Sequence, residues 1–97
     1  MTECKLIGKR IVSIVPEREM VLEYFMLEDV DQTSQLTTYG AKIRKVDEGK
    51  EETESVMGIT SSKEVITNLV NLLLENVVTP ISMVEIVDDF VTEKLCS

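Results

Sequence analysis

The last third of the chain contains the pattern Ser-x-x-Glu twice, each time immediately before an apolar periodic run. The two copies occupy residues 61–64 and residues 82–85. Each matches a capping box, in which the serine oxygen accepts a hydrogen bond from a free backbone N–H and the glutamate reaches back to another. Ile81 and Ile86 flank the second cap at the spacing of a hydrophobic staple. The pattern therefore predicts that the chain ends in a pair of helices.

The two predicted helices differ in how their apolar residues are arranged. The first, residues 62–76, is apolar over about two-thirds of its circumference and needs cover on two sides. The second, residues 83–95, is a one-sided surface helix. Its apolar stripe consists of Met83, Ile86, Val87, Phe90 and Val91. Pro80 favours extended geometry at Thr79, so the first helix must end before that residue, and Asn76 is predicted to follow the last turn.

The residues before the helices have the pattern of strands. Four β-rich runs cover residues 11–15, 20–28, 36–46 and 51–59, with Leu6 and Ile7 as an alternative start of the first run. Their connections are a turn at 16–19, a loop at 29–35 and a turn at 47–50. Short connections indicate an antiparallel meander, and strands grouped before helices indicate an α+β fold. We therefore predict one domain, residues 1–97, with a four-stranded antiparallel β-meander followed by a C-terminal helix hairpin packed on one sheet face (ββββαα).

Three glycines have specific places in this prediction. Gly8 marks a bend or bulge in the first strand. Gly49 supplies a positive φ in the turn between the third and fourth strands. Gly40 follows Tyr39 on the third strand, where the missing side chain lets the tyrosine ring or a neighbouring backbone lie close.

The charge of the chain excludes several classes of partner. The 18 acidic and 10 basic residues give a net charge of −8, and no segment is basic enough to attract a phosphate backbone. We therefore expect no binding to nucleic acid or to anionic membranes. The longest near-apolar run, residues 69–74, is far too short to span a bilayer. Residues 1–5 have no signal-peptide core, and Cys4 and Cys96 are expected to be free thiols, so we predict a cytoplasmic protein.

Three blocks in the second half of the chain are distinctive. They are Gly-Ile-Thr-Ser-Ser-Lys-Glu at 58–64, Val-Thr-Pro-Ile-Ser at 78–82 and Glu-Ile-Val-Asp-Asp-Phe at 85–90. Together with Tyr39-Gly40, they resemble a family of small uncharacterised proteins from anaerobic Gram-positive bacteria. The resemblance covers residues 20–92. It implies a bacterial cytoplasmic protein and carries no assigned activity or catalytic residue.

The sequence offers little for catalysis. It contains no histidine, which rules out Ser–His and Cys–His nucleophile pairs, and its four glycines are scattered singly rather than grouped in a phosphate loop. We therefore assign no catalytic residue, no cofactor and no metal. One acidic cluster on the second helix has the spacing to hold Mg²⁺ or Ca²⁺, but it lies opposite the apolar stripe, which favours a solvated face. The cluster consists of Glu85, Asp88, Asp89 and Glu93.

Tyr39, Lys42 and Arg44 on the third strand are the candidate interaction or pocket residues. Lys42 and Arg44 share one strand face and could hold an anion, and Tyr39 could donate a proton or line a pocket. The alternatives are a packed tyrosine ring and a solvated basic face. On this hypothesis the protein is a small ligand-binding or anion-binding protein or an enzyme, and a concave pocket flanked by these side chains would support it.

The competing hypothesis is a non-enzymatic protein-binding or regulatory module. The first two strands carry apolar residues on both faces, and the helix hairpin covers only one face of the sheet. The other face then keeps an apolar patch, which is typical of a contact site. The partner is predicted to be another protein or a second copy of this chain. The sequence favours this hypothesis over the enzyme.

Overall fold

The computed structural model describes the backbone of residues 2–96 and the side chains of residues 2–93. Four strands form one antiparallel sheet in the order β1-β2-β3-β4, and two helices follow. The elements are β1 Thr2–Val15, β2 Arg18–Val30, β3 Thr37–Asp47, β4 Lys50–Thr60, α1 Lys63–Glu75 and α2 Pro80–Cys96. The predicted α+β fold, with a four-stranded meander and a C-terminal helix hairpin, is confirmed. The predicted thiol of Cys96 lies outside the described side chains.

The first strand is much longer than the predicted run at residues 11–15. It begins at Thr2, and its first residues pair with the end of β2, as in the pairs Thr2–Asp29 and Lys5–Met26. β1 lies at one edge of the sheet, and most of its side chains are exposed. An edge strand with little burial on either face does not need alternating polarity, so hydrophobic periodicity does not reveal its full length.

The glycine predictions for the sheet are confirmed. The register of β1 against β2 shifts between Leu6 and Gly8, which identifies a bulge. The register of β3 against β4 shifts next to Gly40, where a Cβ atom would collide with the carbonyl oxygen of Val56 and lie 2.9 Å from the Cα of Met57. Gly49 has φ +78° in the turn between β3 and β4. At Gly49 the backbone needs a positive φ, and at Gly40 the neighbouring strand approaches more closely than a Cβ atom allows.

The helices cover one face of the sheet. α1 lies mainly against β2 and its two neighbours, and α2 lies against β4 and β3. The sheet contributes Leu22, Tyr24, Met26, Ala41 and Ile43 to the buried cluster, and the helical region contributes Ile66, Leu69, Val70, Leu73, Val78, Met83 and Val87. Each fully buried aliphatic side chain contributes roughly 1.5–3 kcal/mol relative to an exposed one. Helix α1 contacts both the sheet and α2, while Leu72 on its apolar circumference stays exposed.

Both predicted capping boxes are wrong in register. The N-cap of α1 is Ser62, whose Oγ accepts a hydrogen bond from the backbone N–H of Val65 at 3.2 Å, so Glu64 lies in the first turn and not at the capping-box position. Helix α2 begins at Pro80, two residues before the predicted cap at Ser82. Proline is well suited to the first helical position because its missing N–H has no intrahelical partner there. The predicted staple does not form, since Ile81 is 82% exposed.

The end of α1 also differs from the prediction. Asn76 is the C-cap with φ −93°, and the left-handed residue after it is Val77 with φ +52°. The N–H of Val78 bonds to the carbonyl of Leu73 and the N–H of Val77 bonds to that of Leu74, which is the Schellman pattern. A β-branched residue in this conformation is a genuine outlier.

Candidate binding surface of the sheet

The strand register defines the sheet face that points away from the helices. Leu22, Tyr24 and Met26 of β2 are buried against the helices, so the residues between them point to the opposite side. We call this side the outer face. Its central part contains three neighbouring cross-strand rows of β1, β2 and β3, namely Leu6–Phe25–Lys42, Lys9–Glu23–Arg44 and Ile11–Val21–Val46.

Apolar side chains dominate two of the three rows. On β1, Leu6 is 50% exposed and Ile11 is 58% exposed. Phe25, Val21 and Val46 beside them are half-buried. Within the described part of the chain no helix covers this face, so the two apolar rows form an accessible patch. Patches of this kind mark contact surfaces in soluble proteins.

In the charged row between the apolar rows, Arg44 is neutralised within the chain, whereas Lys9 at the edge has no ion-pair partner among the described residues. Arg44 lies between two carboxylates: its Nη1 donates to Glu23, and its Nε donates to the Oε1 atom of Glu51 at 2.9 Å. The hydrogen bond and the charge of Arg44 hold the pKa of the Glu51 carboxyl below its usual value, and the same contacts raise the pKa of Arg44. An anion at Arg44 would therefore compete with both carboxylates.

The structure brings two of the three predicted site residues onto one face. Lys42 and Arg44 both lie on the outer face, and the Nζ of Lys42 is 5.2 Å from the centre of the Phe25 ring, within the range of a cation–π contact. Tyr39 lies on the opposite face, where it pairs with Glu28 and Thr60 and packs against the core cluster. A shared role of the three residues remains a prediction.

In the described part of the chain, two clefts away from the outer face are lined by residues other than Tyr39, Lys42 and Arg44. One, of about 280 Å³, is lined by Glu3, Glu28, Val30 and Gln32. The other, of about 180 Å³, lies at the turn end of the sheet and is lined by Arg18, Lys45, Asp47, Glu48, Lys50 and Glu52.

The second cleft is lined by an ion-pair network that connects the β1–β2 turn with the β3–β4 turn. Arg18, which follows the β1–β2 turn, donates from Nε and Nη2 to the carboxylate of Asp47 at 3.2 and 2.9 Å. These bonds hold the pKa of Asp47 below its usual value. In the same cleft, the Nζ of Lys45 lies 3.8 Å from the Oε2 of Glu52. Basic and acidic side chains of this cleft therefore form ion pairs with one another within the chain.

The acidic cluster of α2 lies on the exposed side of the helix, as its spacing indicates. Glu85, Asp88, Asp89 and Glu93 are all exposed. Among the described residues, no group of three or more Asp, Glu, Cys or His side chains is arranged to hold a metal ion.

Comparison with known protein families identifies a match over most of the chain. A family model described as Family of unknown function (DUF6514) matches residues 3–93. The chain belongs to this family. The DUF6514 match includes β1, so it extends beyond the resemblance at residues 20–92. The searches of curated proteins and of solved structures returned no match. In the described part of the chain, no helix is long and apolar enough to cross a membrane.

On β1, sequence reasoning missed two residues of the outer face. The sequence predicts Leu6 only as an alternative start of the first strand and assigns no role to Lys9. The bulge after Leu6 adds one residue, so Leu6 and Lys9, three positions apart, lie on the same face as Ile11. The signal was Gly8, which marked the bulge without revealing which side chains it would realign.

Proposed function

We propose that the protein is a non-enzymatic protein-binding or regulatory module that uses the outer face to hold a protein partner. The observation that carries this proposal is the exposure of Leu6 and Ile11 on the same uncovered face. Exposed aliphatic side chains on one face are stabilised by burial against another molecule, which makes association favourable.

The ion pairs of Arg44 favour a partner that binds by burying the apolar rows rather than by pairing with this guanidinium. Because Arg44 already has two carboxylate partners, a protein placed over the row does not leave an isolated guanidinium unpaired. Phe25 lies beside Lys42 in the adjacent row, and aromatic side chains are enriched at protein interfaces. The partner is another protein or a second copy of the chain.

The resemblance and the composition support a bacterial cytoplasmic setting. The resemblance of residues 20–92 points to anaerobic Gram-positive bacteria. The net charge of −8 disfavours nucleic acid and anionic membranes as partners, and the exposed Cys4 thiol suits a reducing compartment. The chain offers no histidine for the commonest acid–base chemistry.

The test replaces the apolar patch without disturbing the core. Leu6→Lys, alone and combined with Ile11→Lys, places charge on the outer face, and Ile81→Lys on α2 is the matched control because Ile81 is even more exposed. Affinity capture from a lysate of the source organism and sedimentation velocity are compared across the variants. We expect a partner or dimer that is lost with the outer-face variants and retained with Ile81→Lys. A strict monomer whose captured proteins are identical for all variants would overturn the proposal.

A further inference from the structure

The longest uninterrupted segment on the free edge of β1 can accept another strand. β1 pairs with β2 on one side only, so alternate N–H and C=O groups on its other side have no partner within the sheet. Register shifts occur between Leu6 and Gly8 and between Ser13 and Val15. Bulges disrupt a ladder, so regular pairing with a new strand is available along residues 8–13, which we call the edge segment.

The edge segment carries two adjacent cations. Lys9 and Arg10 are exposed and form no ion pair within the described part of the chain. Neighbouring residues of a strand point to opposite faces, so Lys9 lies on the outer face and Arg10 on the helix side of the edge.

The cations of β3 provide the contrast. Arg44 is held by Glu23 and Glu51, Lys45 is within reach of Glu52, and Lys42 lies over the ring of Phe25. In an acidic chain whose internal basic residues are engaged in this way, the two cations of the edge segment remain available to a partner.

We propose that the edge segment binds an extended acidic peptide of another protein as an additional strand of the sheet. This inference rests on the proposed protein-binding function and specifies the chemistry of the partner. Main-chain hydrogen bonds supply affinity in such strand addition, and alternate side chains supply specificity. Directly opposite pairs then require acidic residues beside Lys9 and Arg10, and apolar residues beside Ile11 and Val12.

Charge favours the β1 edge over the β4 edge as the binding site, and it favours an acidic peptide over a second copy of this chain as the occupant. The opposite edge strand, β4, carries Glu51, Glu52 and Glu54, which repel an acidic peptide. A second copy of the edge segment would add further cations to the same ladder, because residues 8–13 contain no Asp or Glu. The overall charge of −8 acts against an acidic ligand at long range, but salt screens charges beyond about 8–10 Å, so the adjacent cations dominate.

The probe is the fluorescein-labelled peptide Thr-Val-Ile-Glu-Glu-Thr, which places glutamates opposite Lys9 and Arg10 in antiparallel pairing. Its reversed sequence provides the same match in parallel pairing. Fluorescence anisotropy is measured with the wild type and with the Lys9→Glu/Arg10→Glu variant. The matched control is Lys63→Glu, which reverses an exposed cation at the start of α1. The urea unfolding midpoint confirms that each variant is folded, and Arg10→Gln replaces the double variant if that one unfolds.

We expect one of the two peptides to bind the wild type, more tightly at low salt, and to lose about tenfold or more in affinity with the double variant but not with Lys63→Glu. The peptide Thr-Val-Ile-Lys-Lys-Thr, in the favoured direction, should bind the double variant better than the wild type. Equal binding to wild type and double variant, or no binding at millimolar protein, would overturn the inference. Self-association abolished by Lys9→Glu/Arg10→Glu would also overturn it, by assigning the edge to a second copy.

The two proposals fail in different ways. If Leu6→Lys, which lies outside the edge segment, abolishes partner capture while the peptides do not bind, the outer face is functional and the edge is not. If partner capture survives the outer-face variants but the acidic peptide binds through Lys9 and Arg10, the edge is functional without the apolar patch.

Discussion

The hydroxyl of Tyr24 donates a hydrogen bond to the backbone carbonyl of Val78 at 2.8 Å, across 54 residues of sequence. Tyr24 lies at the centre of β2, and Val78 lies in the connection between the helices. Both residues are buried. The bond therefore satisfies a carbonyl that water cannot reach, and it holds the helix connection against the sheet on the face opposite the proposed binding surface.

Tyr24→Phe tests this contact. The variant keeps the ring but leaves the buried carbonyl of Val78 without its partner, and such an unsatisfied group costs about 1–3 kcal/mol. We expect urea unfolding at neutral pH to show a loss of this size. The matched control is Tyr39→Phe, because Tyr39 is half-buried and its hydroxyl makes no hydrogen bond among the described residues. A loss that is equal in the two variants would contradict the assignment.

The stability of the wild type should fall at alkaline pH because of the same tyrosine. Burial raises the pKa of Tyr24 to about 12, from an ordinary value of 10.0. Above the ordinary value the unfolded chain releases this proton while the folded chain retains it. The free energy of unfolding then decreases by up to about 1.4 kcal/mol per pH unit until the folded pKa is passed. Urea unfolding between these pH values should show the gap between wild type and Tyr24→Phe closing, and a constant gap would refute this.

The order of elements could be predicted because the apolar period changes once along the chain. The pairs Tyr24–Ile43 and Met26–Ala41 lie at the centre of the sheet, where one face is buried and alternation is strong. At the edge, most side chains of β1 are exposed, so its start at Thr2 left no such signal. Periodicity reports burial, and it cannot locate a strand that is paired but little buried.

The helix starts were wrong for a different reason. Ser-x-x-Glu describes a cap only if the serine is the last non-helical residue, and two neighbouring residues took precedence. Ser62 caps α1 in place of Ser61, and Pro80 starts α2 before Ser82 is reached.

For the candidate site, the sequence predicted that Lys42 and Arg44 share a face. It could not reveal Glu23 and Glu51, because their contacts with Arg44 depend on strand register.

Gly40→Ala should strongly destabilise the protein. A Cβ atom at Gly40 would meet the backbone of Val56 and Met57 on the neighbouring strand, and a backbone cannot move aside without breaking the ladder. Gly8→Ala is the matched control: its Cβ atom would lie 2.8 Å from the Cδ2 of Leu74, which is the end of a flexible side chain. Overpacking costs about 1–3 kcal/mol, and we expect Gly40→Ala at or above the upper end and Gly8→Ala near the lower end. Thermal unfolding with equal losses would refute the distinction.

At Val77, the glycine variant should be more stable than the alanine variant, which is the reverse of the usual order within a helix. Val77 has φ +52° at the end of α1, a conformation that costs non-glycine residues about 1–2 kcal/mol. Val77→Ala and Val77→Gly lose nearly the same packing, but only glycine also removes the strain. We expect Val77→Gly to be the more stable of the two by urea unfolding. At exposed Asn71 within α1, alanine should exceed glycine by about 1 kcal/mol, and the same order at both positions would contradict the prediction.

Arg44→Gln should raise the pKa of Glu51 towards its ordinary value of 4.5. Arg44 holds this pKa low by hydrogen bonding and by charge, so the ion pair contributes stability above the ordinary pKa and loses it as the pH falls through the folded pKa. The variant should therefore lose less stability than the wild type on acidification. NMR titration of the carboxyl carbons measures the pKa values of Glu51 and Asp47 in the same sample. Asp47 serves as the internal control, because its pKa is lowered by Arg18 and not by Arg44. Arg44→Gln should leave the pKa of Asp47 unchanged, and Arg18→Gln should raise the pKa of Asp47 without changing that of Glu51. A Glu51 pKa that does not move would mean that the carboxylate is held by something other than Arg44.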